Sequence, residues 1–332
     1  MILIFSASGD LETDKICVAL TKNHYPYLRI NDSDFLLGNV YIEICNNEID
    51  PVSLFFNENR IEEAIITCVW IRKMGFFKNS PCFVKFNKIP NSDIQSFMRR
   101  EYFMVHDFIF DYFDNRKFFT DKDLININKL NVLREAAKLK INIPSTFIST
   151  NKIKVEIFAN KKKHLLIKPI SDNIGIKHDK EICILSNFIL KKEEISKFPN
   201  MFFISQFQEY IDKQIELRIF YLNNQLYSMA IFSQEDKKTR IDFRNYNKES
   251  PNRLAPFILP KEISIKLICL MKKLKANAAS IDMILTPGGE YYFLEINPFG
   301  IFSMIEDVCN YSLYELTANA LIKHSKNAKK NN

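Results

Sequence analysis

The residues with the clearest chemistry lie in ASIDMILTPGGEYYFLEINPFG, positions 279–300. Read as a hairpin, this stretch carries Asp282 on one strand and Glu295 on the next. Asn297, two residues on, faces the same side as Glu295 because strand side chains alternate. Three hard oxygen donors then converge. Magnesium takes such oxygens, commonly one or two carboxylates completed by substrate phosphates, and a metal offsets the cost of holding an acid beside an apolar strand. A solvated hairpin closed by an Asx turn at Asn297-Pro298 is the alternative for these residues taken alone. Farther upstream, HLLIKP (164–169) puts Lys168 at the end of an apolar strand, where a lone lysine usually only lays its stem along the surface. In FISQFQEYIDKQIELRIFYLNNQLYSMAIF (203–232) a strand runs into a short polar hinge and then into a sheet with Glu216 and Arg218 on one face. Such a hinge offers backbone N–H and C=O groups to the edge of a planar base, and Glu209 or a nearby acid can take sugar hydroxyls. Arg218 suits phosphate oxygens, because a guanidinium presents paired donors.

These residues need elements to hold them, and the apolar periodicity supplies candidates. Met1–Phe5 reads as a buried strand that turns through Ser6–Asp10 into an amphipathic helix ending near Leu20, a βα start. Strands follow at Tyr27–Ile30, Tyr41–Ile44, Val52–Phe56 and Ala64–Ile71, then a long helix over Ser92–Phe113. A second segment opens with a helix at Asn128-Lys129, stopped by Ile143-Pro144, with strands at Thr146–Ser149, Leu165–Lys168 and Phe202–Glu209. An amphipathic helix is expected over Ile189–Phe198. Glu216–Tyr221, Gln225–Phe232 and Arg240–Phe243 read as three further strands, the first two joined at Asn223-Asn224. A helix over Lys261–Ala276, the hairpin Ser280–Leu285/Tyr291–Ile296 and a helix over Ser312–His324 complete the chain.

The bulk numbers narrow the class. With 332 residues there is room for two or three modules and a cleft between them. The 7 glycines form no GxxxxGK[ST] or GxGxxG string, which excludes a Walker-type loop or a dinucleotide fingerprint. The 7 cysteines are scattered with no C-x-x-C pair, which argues for free thiols over a disulfide framework or zinc site. A net charge of +7, much of it in runs such as Lys161–Lys163 and Lys329-Lys330, fits solvated loops, or attraction of a peptide rich in Glu and Asp. No nucleic-acid module stands out, no membrane span or basic leader is visible, and the expected location is the cytoplasm.

In order along the chain, Asn128-Lys129, Lys168-Pro169, Gln208-Glu209-Tyr210-Ile211, Glu216-Leu217-Arg218 and Asp282…Glu295-Ile296-Asn297 resemble the ATP-grasp superfamily, from about Ile127 to the C-terminus. The segments MILIFSASGDLETDKICVAL, YLRINDSDF, CVWIRKMGFF and NIPSTFISTN look like the graspetide synthetases, the microviridin-type peptide ligases, in the branch of peptide maturases from grasp-with-spasm type clusters. The resemblance implies an α/β and α+β chain. An N-terminal α/β pre-ATP-grasp domain (1–115) is followed by a central lobe (116–205), a C-terminal lobe with the metal site (206–326) and a disordered basic tail (327–332).

By the same resemblance, Lys129 and Lys168 hold ATP phosphates. Gln208, Glu209, Tyr210 and Ile211 form the adenine hinge, Glu216 lies by the ribose or the site mouth, and Asp282, Glu295 and Asn297 hold Mg²⁺. Arg240 and Arg244, with Arg218, are the candidates for stabilising an acyl phosphate, with Asp242 orienting one of them. The implied activity joins Glu or Asp side chains of a ribosomal precursor peptide to its Ser or Thr hydroxyls as ω-esters, or to a Lys amine as an ω-amide, after a leader docks. A groove near Phe188–Phe198 is the candidate dock, and a homodimer is implied. An ATP-grasp ligase adding a free amino acid to a protein tail or small molecule is the second reading, and a noncatalytic nucleotide-binding regulator the third.

Overall fold

The computed structural model describes residues 1–46, 51–73, 92–171, 175–178, 181–184, 187–236, 239–241, 243, 247 and 249–330. The chain begins β1 (Ile2–Ser6), α1 (Leu11–Lys22), β2 (Tyr27–Asn31), α2 (Asp32–Leu36), β3 (Val40–Ile44), β4 (Val52–Phe56), β5 (Asn59–Arg60), β6 (Cys68–Ile71) and α3 (Ser92–Tyr112). Strands β2-β1-β6 form a parallel sheet, and β3-β4-β5 an antiparallel one. All of β1 is buried. Its run of Ile2, Leu3, Ile4 and Phe5 without alternation is what a strand covered on both faces requires. Ile2 and Ile4 face one core and Leu3 and Phe5 another, the latter closed by Ile109 and Phe110 of α3 and by Phe113 just after it.

The middle of the chain contains α4 (Lys129–Lys138), β7 (Thr146–Asn151), α5 (Lys152–Asn160), β8 (Leu165–Lys168), β9 (Gly175–His178), β10 (Glu181–Ile184), β11 (Phe188–Leu190), α6 (Lys192–Ile195) and β12 (Met201–Glu209). Here β11-β8-β12-β7 make an antiparallel sheet over a small core of Val155, Ala159, Leu165, Leu190, Ile195 and Phe207. The last part contains β13 (Ile215–Leu222), β14 (Gln225–Phe232), β15 (Arg253–Phe257), α7 (Lys261–Lys273), β16 (Ala278–Leu285), β17 (Tyr291–Asn297), α8 (Ser303–Cys309) and α9 (Leu313–Lys330). Its antiparallel sheet has the order β15-β14-β13-β16-β17. Asn223 and Asn224 take φ of 44° and 69°, as a two-residue type I′ hairpin turn needs. One face of this sheet buries Leu217, Ile219 and Ile281 against α4 and α7. At its other face Phe220, Leu222, Met229 and Ile231 share a core with Ile2, Ile4 and Trp70 of the N-terminal sheet.

The α/β opening and the later α+β sheets match the expected fold class. Several elements differ, among them the last helix, which runs past His324 to Lys330 and so makes residues 327–330 of the expected disordered tail helical. Residues 240–241 lie in a turn, and the strand paired to β14 is β15 instead. Its Pro256 argues against a strand in sequence, but β15 is an edge strand, where a missing N–H is tolerated. The run Ala64–Ile71 forms a paired strand only from Cys68, after a 3-10 turn at Glu63–Ile65. Ile189–Phe198 is not one amphipathic helix: it holds the end of β11 and the single turn α6, with Leu190 and Ile195 buried in the middle sheet's core. Among the described residues Cys17, Cys45, Cys68, Cys269 and Cys309 are free, and no helix is long and apolar enough to cross a membrane.

Candidate active site

The face of the five-stranded sheet opposite its α4 and α7 packing carries a charged row. Arg218 of β13 pairs in register with Asp282 of β16, and Asp282 with Glu295 of β17. Adjacent strands therefore set a cation and two carboxylates side by side. Arg218 Nη1 lies 2.6 and 2.8 Å from the two Asp282 oxygens. Glu295 Oε2 receives two lysines from other elements, Lys168 Nζ at 3.2 Å and Lys129 Nζ at 3.4 Å. Both lysines are placed by local sequence. Lys168 ends β8 just before Pro169. Lys129 is the first residue of α4, whose N-cap Asn128 accepts hydrogen bonds from the backbone N–H groups of Leu130 and Asn131.

A bulge makes the row possible. The register of β16 and β17 shifts between Asp282 and Met283, so that Asp282 faces Glu295 while Met283 faces Phe293, leaving Leu294 as the extra residue. Strict alternation from buried Phe293 would turn Glu295 towards the apolar core and Ile296 outward. With the bulge, Ile296 is buried and Glu295 and Asn297 face out together. The Asn297 side chain is exposed, and its Oδ1 accepts from the Phe299 N–H at 3.0 Å. This Asx turn leaves the second lone pair of the amide oxygen unused.

A cleft joins this row to the middle sheet. It is lined by Lys168, Gln208, Glu209, Tyr210, Ile211, Lys213, Glu216, Asp282 and Glu295, with Pro144, Leu166 and Ile284 among the apolar walls. The hinge is tied at several points. The Glu209 N–H donates to the Ser145 carbonyl at 2.8 Å and the Tyr210 N–H to the His164 carbonyl at 3.0 Å. Gln208 is buried and donates to the Thr146 hydroxyl at 3.0 Å. Burial alone raises the Glu209 carboxyl, but hydrogen bonds from Lys162 and Ser145 outweigh it and hold the group below its ordinary value. Burial raises the Tyr210 hydroxyl. Glu216 is buried, receives the Ser233 hydroxyl at 2.7 Å and is paired with Lys213 at 2.7 Å.

Lys213 and Lys162 are the residues the sequence reading missed. Lys213 is 6% exposed and donates to the Ile241 carbonyl at 2.9 Å. In sequence it sits in the polar string Asp212-Lys213-Gln214, which reads as a solvated loop; its spacing of three before Glu216 was the available signal. Lys162, in the run Lys161–Lys163, bonds Glu209 and Ser145. Arg240 is exposed, and its guanidinium is turned onto the Gln234 carbonyl at 3.2–3.3 Å. Arg244 and Asp242 lie outside the described residues.

Two carboxylates and an amide oxygen beside Lys129, Lys168 and Arg218 are of the kind that fits a magnesium ion carrying phosphates: the acids would supply hard donors, and the cations would meet an anionic ligand's oxygens. Among the described residues no group of three or more His, Cys, Asp and Glu gathers into a metal cluster, so the set depends on the Asn297 amide and on oxygens brought by a ligand.

No protein-family model matches the chain, and no curated protein matches it. Solved structures do. A RiPP-associated ATP-grasp ligase of Chryseobacterium gregarium, in complex with ADP and a leader and core peptide, is similar at a TM-score of 0.80 and 21% identity, over 96% of this chain and 94% of that one. The macrocyclase MdnC of Microcystis aeruginosa MRC, bound with the precursor peptide MdnA, is similar at a TM-score of 0.80 and 24% identity, over 97% and 99%. The ATP-grasp ligase PsnB, complexed with a minimal precursor, Mg and ADP, is similar at 0.74 and 14%, over 98% and 97%. With nearly the whole of each chain superposed, this protein has the ATP-grasp fold.

Proposed function

We propose that this protein is an ATP-dependent carboxylate ligase that activates Glu or Asp side chains of a ribosomally made precursor peptide as acyl phosphates and closes macrocycles. The observation that carries the reading is the convergence of Lys129 and Lys168 on Glu295, beside the Arg218–Asp282 pair and opposite the Gln208–Ile211 hinge. The peptide enters from the structural relatives described above, each solved with a precursor or a leader and core peptide.

In this reading ATP lies in the cleft. The hinge from Gln208 to Ile211 takes the adenine edge, with Ile211 supplying the N–H because those of Glu209 and Tyr210 are used inside the protein. The Lys213–Glu216 pair lies by the ribose, and Lys129 and Lys168 hold the phosphates. Asp282, Glu295 and Asn297 would hold Mg²⁺, which would supply positive charge to the phosphate oxygens. Phosphates in the cleft would draw the two lysines from Glu295 and leave its carboxylate free to hold the metal. A peptide carboxylate attacks the γ-phosphorus and ADP leaves. A peptide Ser or Thr hydroxyl then attacks the acyl carbon and phosphate leaves, giving an ω-ester; a Lys amine gives an ω-amide. Arg218, with Arg240 and Arg244, neutralises the acyl phosphate. Catalysis comes from positioning and charge, so no general base is assigned. The boundaries 1–115, 116–205 and 206–326, a homodimer and a cytoplasmic location belong to the same reading.

Incubation with a precursor peptide, sought beside the gene, and with ATP and magnesium, followed by mass spectrometry, tests it. Loss of one water per ring is the expected result. Unchanged peptide alongside glutamate addition to another substrate would overturn it in favour of a free-amino-acid ligase.

A further inference from the structure

The chain leaving β17 is gripped from the N-terminal part of the molecule. After Asn297 it turns tightly: the Phe299 N–H bonds Asn297 Oδ1 and the Gly300 N–H bonds the Asn297 carbonyl, both at 3.0 Å. Two side chains from before residue 73 reach this turn. Glu12 of α1 accepts with Oε1 from the backbone N–H groups of Phe302 at 2.8 Å and Ser303 at 2.6 Å, where α8 begins. Its other oxygen takes the guanidinium of Arg72, the residue following β6. Arg72 donates to the Gly300 carbonyl at 3.2 Å and lies over the Phe302 ring. On the opposite flank Arg218, which grips Asp282, donates to the Ile301 carbonyl at 3.3 Å.

The two charged side chains are only 4% and 5% exposed. A pair so dry loses most of the hydration of both charges, so its attraction gives little net stability. Its geometry is aimed at the turn. Arg72 Nε is buried without a hydrogen bond and stands 4.0 Å from Asp10, so the guanidinium is oriented by Glu12 and by the Gly300 carbonyl, not by the other carboxylate nearby. Among the described residues the other hydrogen bonds of Glu12 are to the backbone N–H groups of 302–303, which no substitution there short of proline removes.

We infer that Glu12 and Arg72 are positioning residues for the metal-facing end of β17: they fix residues 297–303 and, through them, the direction of the Asn297 amide and the placement of Arg218. The inference rests on the Mg²⁺–ATP reading above. It makes the N-terminal sheet part of the nucleotide site although neither residue touches the nucleotide.

The test measures ADP binding by calorimetry as Mg²⁺ is titrated, together with amide hydrogen exchange over 298–305, in the full-length protein and in Arg72→Met and Glu12→Gln. Arg72→Met should raise the half-saturating Mg²⁺ concentration about tenfold or more, as loss of a residue that orients a metal ligand does. It should leave the affinity for metal-free ADP unchanged and speed exchange in 298–305 but not in β13 or β16. Glu12→Gln, nearly isosteric, should shift the same readouts in the same direction by less, and it carries the test where Arg72→Met does not fold. Folded variants with an unshifted Mg²⁺ requirement and unchanged exchange would overturn the positioning role alone. A wild-type protein whose ADP binding ignores Mg²⁺ would overturn the metal reading, and this inference with it.

Discussion

Glu295 carries the heaviest load of any single residue, because two lysines meet on one of its oxygens and a bulge turns it out of the core. Replacing it by glutamine keeps the shape and removes the charge. In the proposed site, Glu295→Gln should lower precursor conversion by about a hundredfold or more, with an unchanged circular dichroism spectrum; activity within a few-fold of wild type would remove Glu295 from the metal set. Much of this site was legible in sequence. Asp282, Glu295, Lys168 and the hinge could be picked out because acids, amides and lysines at strand ends are conspicuous among apolar runs. Lys213 was not legible, since a buried lysine and a solvated one look alike until the fold supplies Glu216 and the Ile241 carbonyl. Nor was the resting partnership of the charges: alternation puts Glu295 and Asn297 on one face but says nothing of which cations meet there.

At the scale of elements, close approach and burial decide two outcomes. Gly300 sits against β16 so tightly that a Cβ would lie 2.3 Å from Ser280 Cβ and 2.4 Å from its Oγ. Gly300→Ala should cost about 1–3 kcal/mol in urea unfolding, and pairing it with Ser280→Gly should recover part of that. Additive losses in the double-mutant cycle would mean that the two residues do not conflict. On α3, His106 is enclosed by the rings of Phe35, Tyr102, Phe103 and Phe110, with Nε2 buried and unbonded. Burial lowers it from 6.5 to about 4. Above pH 6.5 it is neutral folded or unfolded and exacts no penalty. As pH falls from 6.5 towards 4 the unfolded chain takes up a proton that the folded one refuses, so about 3 kcal/mol of stability is lost across that window. His106→Phe should flatten that part of a pH series of urea midpoints, leaving the smaller slope from His324, which burial also lowers; an unchanged slope would show that the ring cluster admits the charge. Element boundaries were readable where periodicity was strong, as in β1, β13 and β14. They failed where tertiary pairing overrode local signals: Pro256 hid edge strand β15, and the Leu294 bulge has no signature in residue type.

Across the whole molecule the cores are not arranged as the sequence order suggests. The N-terminal and C-terminal sheets, separated in the chain by the whole stretch between β6 and β13, bury Ile2, Ile4, Trp70, Phe220, Leu222 and Met229 in one cluster, and α9 closes it with Leu313, Ala318 and Leu321. The middle sheet keeps its own small core. Across the cleft it meets the five-stranded sheet through polar contacts such as Lys168–Glu295. Apolar burial couples the unfolding of the parts it joins, whereas a solvated polar seam lets them open separately. Amide exchange in the free protein should therefore give β1, β6, β13 and β14 one common high protection, and β7, β8 and β12 a lower one. A nucleotide spanning the cleft would bind only when both walls are folded. ADP with Mg²⁺ at a hundredfold excess over its Kd should raise protection of the middle sheet by up to about 2.7 kcal/mol, moving it towards the value of the joined sheets, and a chelator should reverse much of the gain. Equal protection of all these strands in the free protein would contradict the separation of cores. A nucleotide that leaves β8 and β12 unprotected would place its binding somewhere other than this cleft.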